Sequence, residues 1–443
     1  MRNKIKALAF LTLLAKPAFA DPQTLIIAGG ANPKSVGIRY LNISKHAYDT
    51  GKIFGQSPEV AALDGQWKFA DKGKMHPAME DKDIENAIKS MVKKLKPGEP
   101  FNFFINDHGY GPNSERKPEN SGFYLYNPES NWDKNPSYDV PKMSHEKFLE
   151  MINKLVPKET PVRIIGIHCF SGGLHSIAFS RPNTCTSAST DFRTPTYSEE
   201  KFNLYGKSFW EEFYRKDFDL DHDNKTSLFE AHMGGFTHDD NNESRADVSS
   251  FAYVDSILKE GPYVEQDSWL KRVFDDPSEV AVPNFNYLVC SLLPNFDEEI
   301  KKLKGVADIL DKIAPTQQMP KDSEKVMQQI PTASKNLFKL AIEDYQANHE
   351  KYQKILSDLR DAISEFRRNW EAVEEKQKDG KRAEFTTAFA KLDMQYRQEM
   401  GKFIPTYYLM NKMKKVERFL NIATPDQKKK FTELMQCESA PLF

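Results

Sequence analysis

The sequence has no excess of charge of either sign. Its 443 residues include 62 Lys and Arg and 64 Asp and Glu, which gives a net charge of −2 with the histidines neutral. Basic and acidic residues alternate and form no patch of one sign, so nothing in the chain favours a nucleic acid as a partner. A chain of this length is too long for one ordinary hydrophobic core, and we expect two domains of unequal character.

Long apolar runs are also missing. The first twenty residues, MRNKIKALAFLTLLAKPAFA, have a basic start, a short apolar run and small residues at the end, which is the pattern of a secretory signal peptide. The apolar run is too short to span a bilayer, and no cysteine follows Ala20 to carry a lipid. We expect residues 1–20 to be removed. Because they contain four of the 62 basic residues, the mature net charge is about −6. The sequence therefore predicts a periplasmic or secreted protein without membrane insertion, and such proteins more often act on peptides, sugars or small molecules.

Cysteine is scarce, with four residues in the whole chain: Cys169, Cys185, Cys290 and Cys437. In an oxidising compartment an even number of cysteines indicates disulfides, and four cysteines allow three pairings. Cys290 and Cys437 could pair and close the C-terminal region into a loop, which would leave Cys169 and Cys185 over. A Cys169–Cys185 bridge is the alternative.

The first part of the chain, from 24 to about 190, alternates strands and helices. Its strands are short runs rich in apolar and β-branched or small residues at 24–30, 101–106, 162–167 and 184–189. Apolar residues at helical spacing between Asp83 and Leu95, and again after the candidate N-cap Ser144, indicate helices between the strands. This order predicts an α/β sandwich with a mainly parallel sheet, and such sheets carry their chemistry at the carboxyl ends of the strands.

The last third of the chain, from 297 to 443, is charged, poor in glycine and helical in period. One long helical seam has apolar residues three or four positions apart: Tyr352, Leu356, Leu359, Ile363, Phe366, Trp370 and Val373. The segment TPDQ opens a final helix, with Thr424 as N-cap, Pro425 at the first helical position and Gln427 completing a capping box. We expect this part to be an all-helical domain.

Two predicted strands end on reactive side chains. PFNFFINDHGYG, residues 100–111, ends its apolar run at His108, and PVRIIGIHCFSGG, residues 161–173, ends at Cys169. The thiolate is the reactive form of cysteine, and a nearby base and the N-terminus of a following helix both favour it. His108 could accept the thiol proton and later protonate a leaving amine. The N–H groups of Gly109 and Cys169 could stabilise an oxyanion.

Together these two blocks resemble the caspase-like clan of cysteine peptidases, and the legumain family in particular. The opening TLIIAGGANPKSVGIRYLNISKHAYDTG is similar to the legumain-type opening. TSASTDFRTPTY followed by LYGKSFWEEF is similar to the substrate-cleft strand and the helix after it. The resemblance covers roughly residues 24–235. The sequence departs from the family at His168, where relatives generally carry alanine, and in a polar insert at 110–143.

The resemblance implies a caspase-like three-layer sandwich in residues 21–290, ahead of the helical domain. It implies an exported cysteine endopeptidase, with Cys169 as nucleophile, His108 as general acid and base, and Gly109 as oxyanion donor. The helical domain could cover the cleft as an inhibitory segment, as the resemblance to legumain suggests, or it could dock a partner.

The same resemblance implies a specificity pocket lined by Asn32, Arg39, Ser189 and Asp191. Arg39 would favour an acidic P1 side chain and Asp191 a basic one. The sequence does not decide whether the preferred P1 side chain is acidic or basic.

A second motif, DLDHDNKTSLFE at 219–230, has the spacing of an EF-hand loop. The oxygen donors fall at positions 1, 3, 5, 7, 9 and 12: Asp219, Asp221, Asp223, the carbonyl of Lys225, Ser227 and Glu230. The sixth position holds Asn224 instead of glycine, and asparagine tolerates the left-handed conformation that this turn needs. The motif predicts a structural Ca²⁺ ion, and a solvated acidic turn is the alternative.

Other interpretations compete for the Cys169 region. Zinc could use His168, Cys169, His175 and Cys185, although His168 and Cys169 should point to opposite faces of an extended segment. A serine-hydrolase elbow lacks the glycine two residues before Ser171. The principal alternative in function is a catalytically inactive relative that keeps the fold as a binding or scaffold protein.

Overall fold

A computed structural model describes the protein over residues 22–28, 37–65, 70–71, 74–112, 117–127, 140–193, 204–237, 246–263, 327–373 except 329 and 331, six positions between 377 and 391, and 404–443. The predicted signal peptide, the insert residues 113–116 and 128–139, and Cys290 lie outside these ranges. The strands are β1 Gln23–Ala28, β2 Glu59–Ala62, β3 Met75–His76, β4 Phe101–Asn106, β5 Gly109–Tyr110, β6 Gly122–Tyr124, β7 Lys142–Ser144, β8 Val162–Ile167, β9 Thr184–Ala188 and β10 Asp247–Val248. The helices are α1 Gly37–Ile53, α2 Asp81–Val92, α3 His145–Leu155, α4 His175–Ser180, α5 Leu204–Arg215, α6 Leu228–Thr237, α7 Ser249–Leu258, α8 Thr332–Glu371, α9 Ile404–Ile422 and α10 Pro425–Glu438.

A seven-stranded sheet forms the centre of the α/β part, in the order β10-β9-β8-β4-β1-β2-β3. Its strands pair in parallel except β10, which runs antiparallel to β9. The central strands β4 and β8 are buried along their whole length, as continuous apolar runs require in a parallel sheet. The prediction of a mainly parallel α/β sheet is confirmed, and the predicted strands 101–106 and 162–167 have the bounds that the structure gives them.

Helices cover both faces of this sheet, because alternate side chains of each strand point to opposite sides. On one face, Leu25 and Ile27 of β1 pack with the apolar sides of α2 and α3. On the other, Ile26 and Ala28 pack with α1 and α5. The result is three layers, with a hydrophobic core on each side of the sheet.

The predicted helix caps are confirmed. The Ser144 hydroxyl accepts a hydrogen bond from the Lys147 N–H at the start of α3. Thr424 and Gln427 form a reciprocal capping box at the start of α10, with Pro425 in the first turn. Side-chain acceptors at these positions satisfy N–H groups that have no partner within the helix.

The insert after His108 contains structure that the sequence did not predict. Its described residues form the antiparallel three-stranded sheet β5-β6-β7 and a 3₁₀ turn, Pro118–Asn120. The strands are only two or three residues long, too short for the period-2 pattern that identifies a strand in a sequence.

The C-terminal helices share a hydrophobic core with the end of the α/β part. Residues of α8, α9 and α10 belong to the same buried cluster as residues of α6 and α7, and Phe251 and Phe338 are members from the two sides. Helix α10 also contacts strand β9, which lies next to the edge strand β10. The predicted boundary between 290 and 297 lies outside the described residues.

A disulfide joins Cys185 in β9 to Cys437 in α10, with 5.9 Å between their Cα atoms. The Cys185–Cys437 bond rules out both pairings considered from the sequence, Cys290–Cys437 and Cys169–Cys185. The two cysteines are 252 residues apart in sequence, and only the packing of α10 on the sheet brings them together. Cys169 is a thiol outside the disulfide.

Buried charged and polar groups reinforce this junction. Lys412 of α9 forms ion pairs with Asp247 and Asp255, at 3.0 Å to the latter. In α10, Glu438 accepts hydrogen bonds from the Ser249 hydroxyl and from the Ser250 N–H and hydroxyl at the start of α7. Buried charges must be paired and buried polar groups must be hydrogen-bonded, so these contacts fix α9 and α10 on the α/β part.

Among the described residues, no helix has the length and apolar character that crossing a membrane requires.

Candidate active site

His108 and Cys169 lie beside each other at the carboxyl edge of the large sheet. Strands β4 and β8 are parallel neighbours whose last paired residues are Asn106 and Ile167. The Asp107 N–H continues the ladder to the Ile167 carbonyl at 3.4 Å. His108 and Cys169 each stand two residues beyond the last pair, so matched register brings the base and the thiol to the same edge.

Gly109 lies directly against the backbone of Cys169. A Cβ atom at this position would overlap the carbonyl oxygen of Cys169 and stand 2.8 Å from Nδ1 of His168. Only a residue without a side chain allows the two backbones to approach this closely. Gly109 also begins β5, so the small sheet starts at the thiol.

The His108 ring is held by Tyr40, a residue of α1 that sequence reasoning missed. Its hydroxyl lies 3.2 Å from Nδ1 of His108, and the two rings meet edge to face with their centroids 4.9 Å apart. Tyr40 is 8% exposed, and its carbonyl accepts a hydrogen bond from the Asn106 side chain at 2.5 Å. Nothing in the local pattern distinguishes Tyr40 from an ordinary core tyrosine, because the contact joins residues 68 positions apart.

The backbone turns sharply at Cys169. The Ser171 N–H bonds the His168 carbonyl at 3.2 Å, and Phe170 is left-handed, with a φ of 62°. A short 3₁₀ turn, Ser171–Leu174, then leads into α4. Tyr124 lies near enough to Cys169 to interact with it electrostatically: burial, and then the coulombic interaction with Cys169, raise the pKa of Tyr124.

The predicted specificity residues divide into two groups. Ser189 and Asp191 follow β9 and lie at the turn that begins at Cys169: the hydroxyls of Ser189 and Ser171 are 3.4 Å apart, and a Cβ on Gly172 would stand 2.7 Å from the Asp191 Cα. Asp191 is 5% exposed and accepts a hydrogen bond from the Arg193 N–H at 2.7 Å. Arg39 belongs to α1, and Asn32 lies outside the described residues.

The four residues considered for zinc do not form a site in the part of the chain that the structure describes. Cys185 is bonded to Cys437, and Nδ1 of His175 lies 2.6 Å from the Thr186 hydroxyl. Burial lowers the pKa of His175 to about 3 and that of His168 to about 4, so both rings are neutral.

The acidic loop adopts the turn that its motif predicts. One oxygen each of Asp219, Asp221 and Asp223 lies within 4.8 Å of the others. Asn224 is left-handed, with a φ of 60°, and its N–H donates to Asp219 at 3.2 Å. Burial, followed by the charges of Asp223 and Asp219, raises the pKa of Asp221.

The side chains of Ser227 and Glu230, the last two predicted ligands, form hydrogen bonds with backbone N–H groups. Ser227 and Glu230 form a reciprocal capping box at the start of α6, and Glu230 also accepts a hydrogen bond from the Leu220 N–H at 2.8 Å. Glu230 is not in the group of three aspartates. The N–H of Lys225 donates to Asp223 at 2.8 Å.

No family model and no curated protein sequence matches the chain. Among solved structures, the crystal structure of protein GSU0716 from Geobacter sulfurreducens matches with a TM-score of 0.32 and 11% sequence identity, over 48% of this chain and 88% of that one. A superposition at this TM-score carries no argument about fold or function.

Proposed function

We propose that the protein is an exported cysteine endopeptidase with a caspase-like fold similar to that of legumain. The observation that carries this proposal is the matched position of His108 and Cys169 at the carboxyl ends of adjacent parallel strands, with Gly109 in contact with the Cys169 carbonyl. Acyl transfer to a thiol requires a thiol, a base and a donor for the oxyanion. Cys169, His108 and the N–H of Gly109 would supply these three groups at one sheet edge.

In the proposed reaction, the Cys169 sulfur attacks a peptide carbonyl carbon and its proton passes to His108. The N–H groups of Gly109 and Cys169 stabilise the oxyanion of the tetrahedral intermediate. Collapse of the intermediate breaks the C–N bond, and the imidazolium of His108 protonates the leaving amine. Water, activated by His108, then hydrolyses the thioester and regenerates the thiol.

Tyr40 has a supporting role in this scheme. Its contact at Nδ1 orients the imidazole and leaves Nε2 to exchange a proton with the thiol. A third group that orients the base is a recurring part of such sites.

The substrate would be a peptide or protein segment whose P1 side chain enters the region after β9. Ser189 and Asp191 are placed there by contacts with the nucleophile turn. An Asp191 carboxylate in the pocket selects a basic P1 side chain, and Arg39 an acidic one.

Export is supported by the leader-like residues 1–20 and by the Cys185–Cys437 disulfide, since such bonds persist mainly in oxidising compartments. Inhibition of the cleft by the helical domain remains a proposal from the resemblance. In the described residues, α9 and α10 contact α6, α7 and β9.

Calcium is proposed as a structural ion of the 219–230 loop. The donors Asp219, Asp221 and Asp223 suit a hard cation, and one oxygen of Asp219 is buried without a hydrogen-bond partner among the described residues. The Lys225 carbonyl and Ser227 complete the set, and Glu230 would join it by leaving its backbone partners.

Peptide hydrolysis tests the main proposal. The mature protein should cleave members of a peptide library that varies the P1 residue, and the Cys169→Ala and His108→Ala variants should not. His46→Ala changes an exposed histidine of α1 and is the matched control, with full activity expected. Cleavage that survives Cys169→Ala would refute the proposed dyad, and folded wild-type protein that cleaves no member would favour the scaffold alternative.

A further inference from the structure

The carbonyl of Cys169 is held from two sides. Nδ1 of His168 lies 2.9 Å from this oxygen, and Gly109 packs against it so closely that a Cβ atom would overlap. The His168 side chain is fully buried, in contact range of Phe123 and His145, whose ring centroids lie 5.9 Å and 5.4 Å away. These neighbours leave the imidazole little freedom to move.

The direction of this carbonyl determines the type of turn that carries the thiol. Residues 168–171 form a turn closed by the hydrogen bond from the Ser171 N–H to the His168 carbonyl. Phe170 occupies its third position with φ 62° and ψ 23°, close to the values of a type II turn, where glycine or asparagine is usual. A flip of the Cys169–Phe170 peptide would give a type I turn, in which Phe170 is right-handed and unstrained.

The left-handed conformation of Phe170 therefore costs free energy, and another interaction must stabilise the observed turn. A residue other than glycine in the left-handed region is strained. The hydrogen bond from His168 to the Cys169 carbonyl exists only in the observed, type II orientation of the Cys169–Phe170 peptide, because only there does the carbonyl point at the imidazole. Since a carbonyl only accepts hydrogen bonds, Nδ1 must carry the proton.

The tautomer of His168 follows. Burial keeps the ring neutral, with its pKa lowered to about 4, so a proton on Nδ1 leaves Nε2 as an acceptor. Nε2 is buried and has no hydrogen-bond partner among the described residues. The ring thus presents one donor, and it is directed at the residue that carries the thiol.

We propose that His168 is a positioning residue for Cys169: its Nδ1–H donor holds the Cys169–Phe170 peptide in the observed type II orientation and so fixes the thiol against Gly109 and His108. The effect on catalysis rests on the peptidase function proposed above. The effect on the thiol does not, because any electrophile can report it.

Two substitutions of similar size separate the donor from the volume. In His168→Asn, the amide nitrogen stands two bonds from Cβ, as Nδ1 does, and can donate to the same carbonyl. His168→Leu fills the space without a donor. The rate constant for alkylation of Cys169 by iodoacetamide, with the modified peptide mapped by mass, should fall about tenfold in the Leu variant. It should stay within about threefold of wild type in the Asn variant.

A third substitution tests the link to backbone strain. Phe170→Gly removes the steric cost of the left-handed conformation, so it should restore most of the alkylation rate in the His168→Leu background. The Phe170→Gly single variant is the control for the loss of the phenyl ring. Equal rates in the Asn and Leu variants, or no recovery with glycine, would overturn the proposal.

The wild-type protein supplies a measurement that does not depend on any variant folding. Nitrogen-15 NMR of labelled histidines should find His168 neutral and in the Nδ1–H tautomer across the range of pH where the protein is folded. An Nε2–H tautomer would overturn the proposal. If the wild type cleaves no peptide but the Asn and Leu variants differ as expected, the peptidase function fails and the positioning role stands. If peptides are cleaved but the two variants react alike, the positioning role fails alone.

Discussion

Tyr40 and His108 show how single residues set the chemistry of the candidate site. The sequence predicts that the ends of β4 and β8 bring the His108 imidazole and the Cys169 thiol to one sheet edge. In the proposed mechanism, the contact of the Tyr40 hydroxyl with Nδ1 leaves Nε2 as the ring nitrogen that exchanges a proton with the thiol. The donor or acceptor at one nitrogen of a histidine fixes the role of the other.

Tyr40→Phe should therefore lower the kcat of peptide hydrolysis by about tenfold and shift its pH profile, because His108 loses the group that orients it. Tyr48→Phe is the matched control on the same helix, since its hydroxyl accepts from the Asp71 N–H instead. A kcat and a pH profile unchanged by Tyr40→Phe would show that this contact does not serve catalysis.

Glu438 is a second residue whose surroundings determine its chemistry, here the pKa of its carboxyl group. Burial raises its pKa from 4.5 to about 8, so the folded state keeps a proton that the unfolded chain releases above pH 4.5. The stabilisation from this group is complete below about pH 4.5 and is lost as the pH rises through 8.

Glu438→Gln should accordingly raise the melting temperature relative to wild type at pH 8.5 and have little effect at pH 5. Glu433→Gln, at a half-exposed position of the same helix, should change neither value. Thermal unfolding at the two pH values is the measurement. An equal effect of Glu438→Gln at both would mean that the carboxyl does not titrate as the structure indicates.

At the scale of elements, the sequence predicted best where a whole segment carries one pattern. Strands β4 and β8 are continuous apolar runs bounded by polar residues, and α10 has a complete capping box. The strands β5, β6 and β7 escaped prediction because they are stabilised by pairing with one another and not by a pattern of their own. The turn at 168–171 escaped it for a similar reason: Phe170 is not a residue type that indicates a left-handed conformation.

The 219–230 loop is an element whose motif predicts a ligand. Added Ca²⁺ should raise the melting temperature of the mature protein, by an amount that corresponds to about 2.7 kcal/mol at one hundred times the dissociation constant. The variant Asp219→Ala, Asp221→Ala should lose this effect, and Asp217→Ala, just outside the loop, should keep it. A melting temperature that Ca²⁺ leaves unchanged in the wild type, or raises equally in the double variant, would indicate a solvated acidic turn.

At the scale of the whole molecule, the C-terminal helices belong to the packing of the α/β part. The shared core, the buried ion pairs of Lys412 and the Cys185–Cys437 bond all cross between them. From the sequence, Cys437 could pair with Cys290, because the two lie at the ends of the helical region, and the sequence leaves the pairing open. The true partner depends on which strand faces α10, and that is a property of the topology alone.

Loss of the disulfide should be costly because it closes a loop of 252 residues. Cys437→Ser should lower the free energy of unfolding by about 2–5 kcal/mol, measured by denaturant unfolding without reductant. Cys169→Ser, outside the bond, should change it much less. Peptide mapping that found Cys437 bonded to Cys290 would contradict the structure directly.

The central claim is that Cys169 is a nucleophile activated by His108, and covalent labelling tests it most directly. The mature protein is treated with peptidyl electrophiles that carry basic or acidic P1 residues, and the labelled site is mapped by mass. We predict labelling at Cys169 that is lost in His108→Ala and kept in His46→Ala. If no such probe labelled Cys169 in the native protein while iodoacetamide labelled it after denaturation, the claim would be contradicted, and the fold would be better understood as a scaffold.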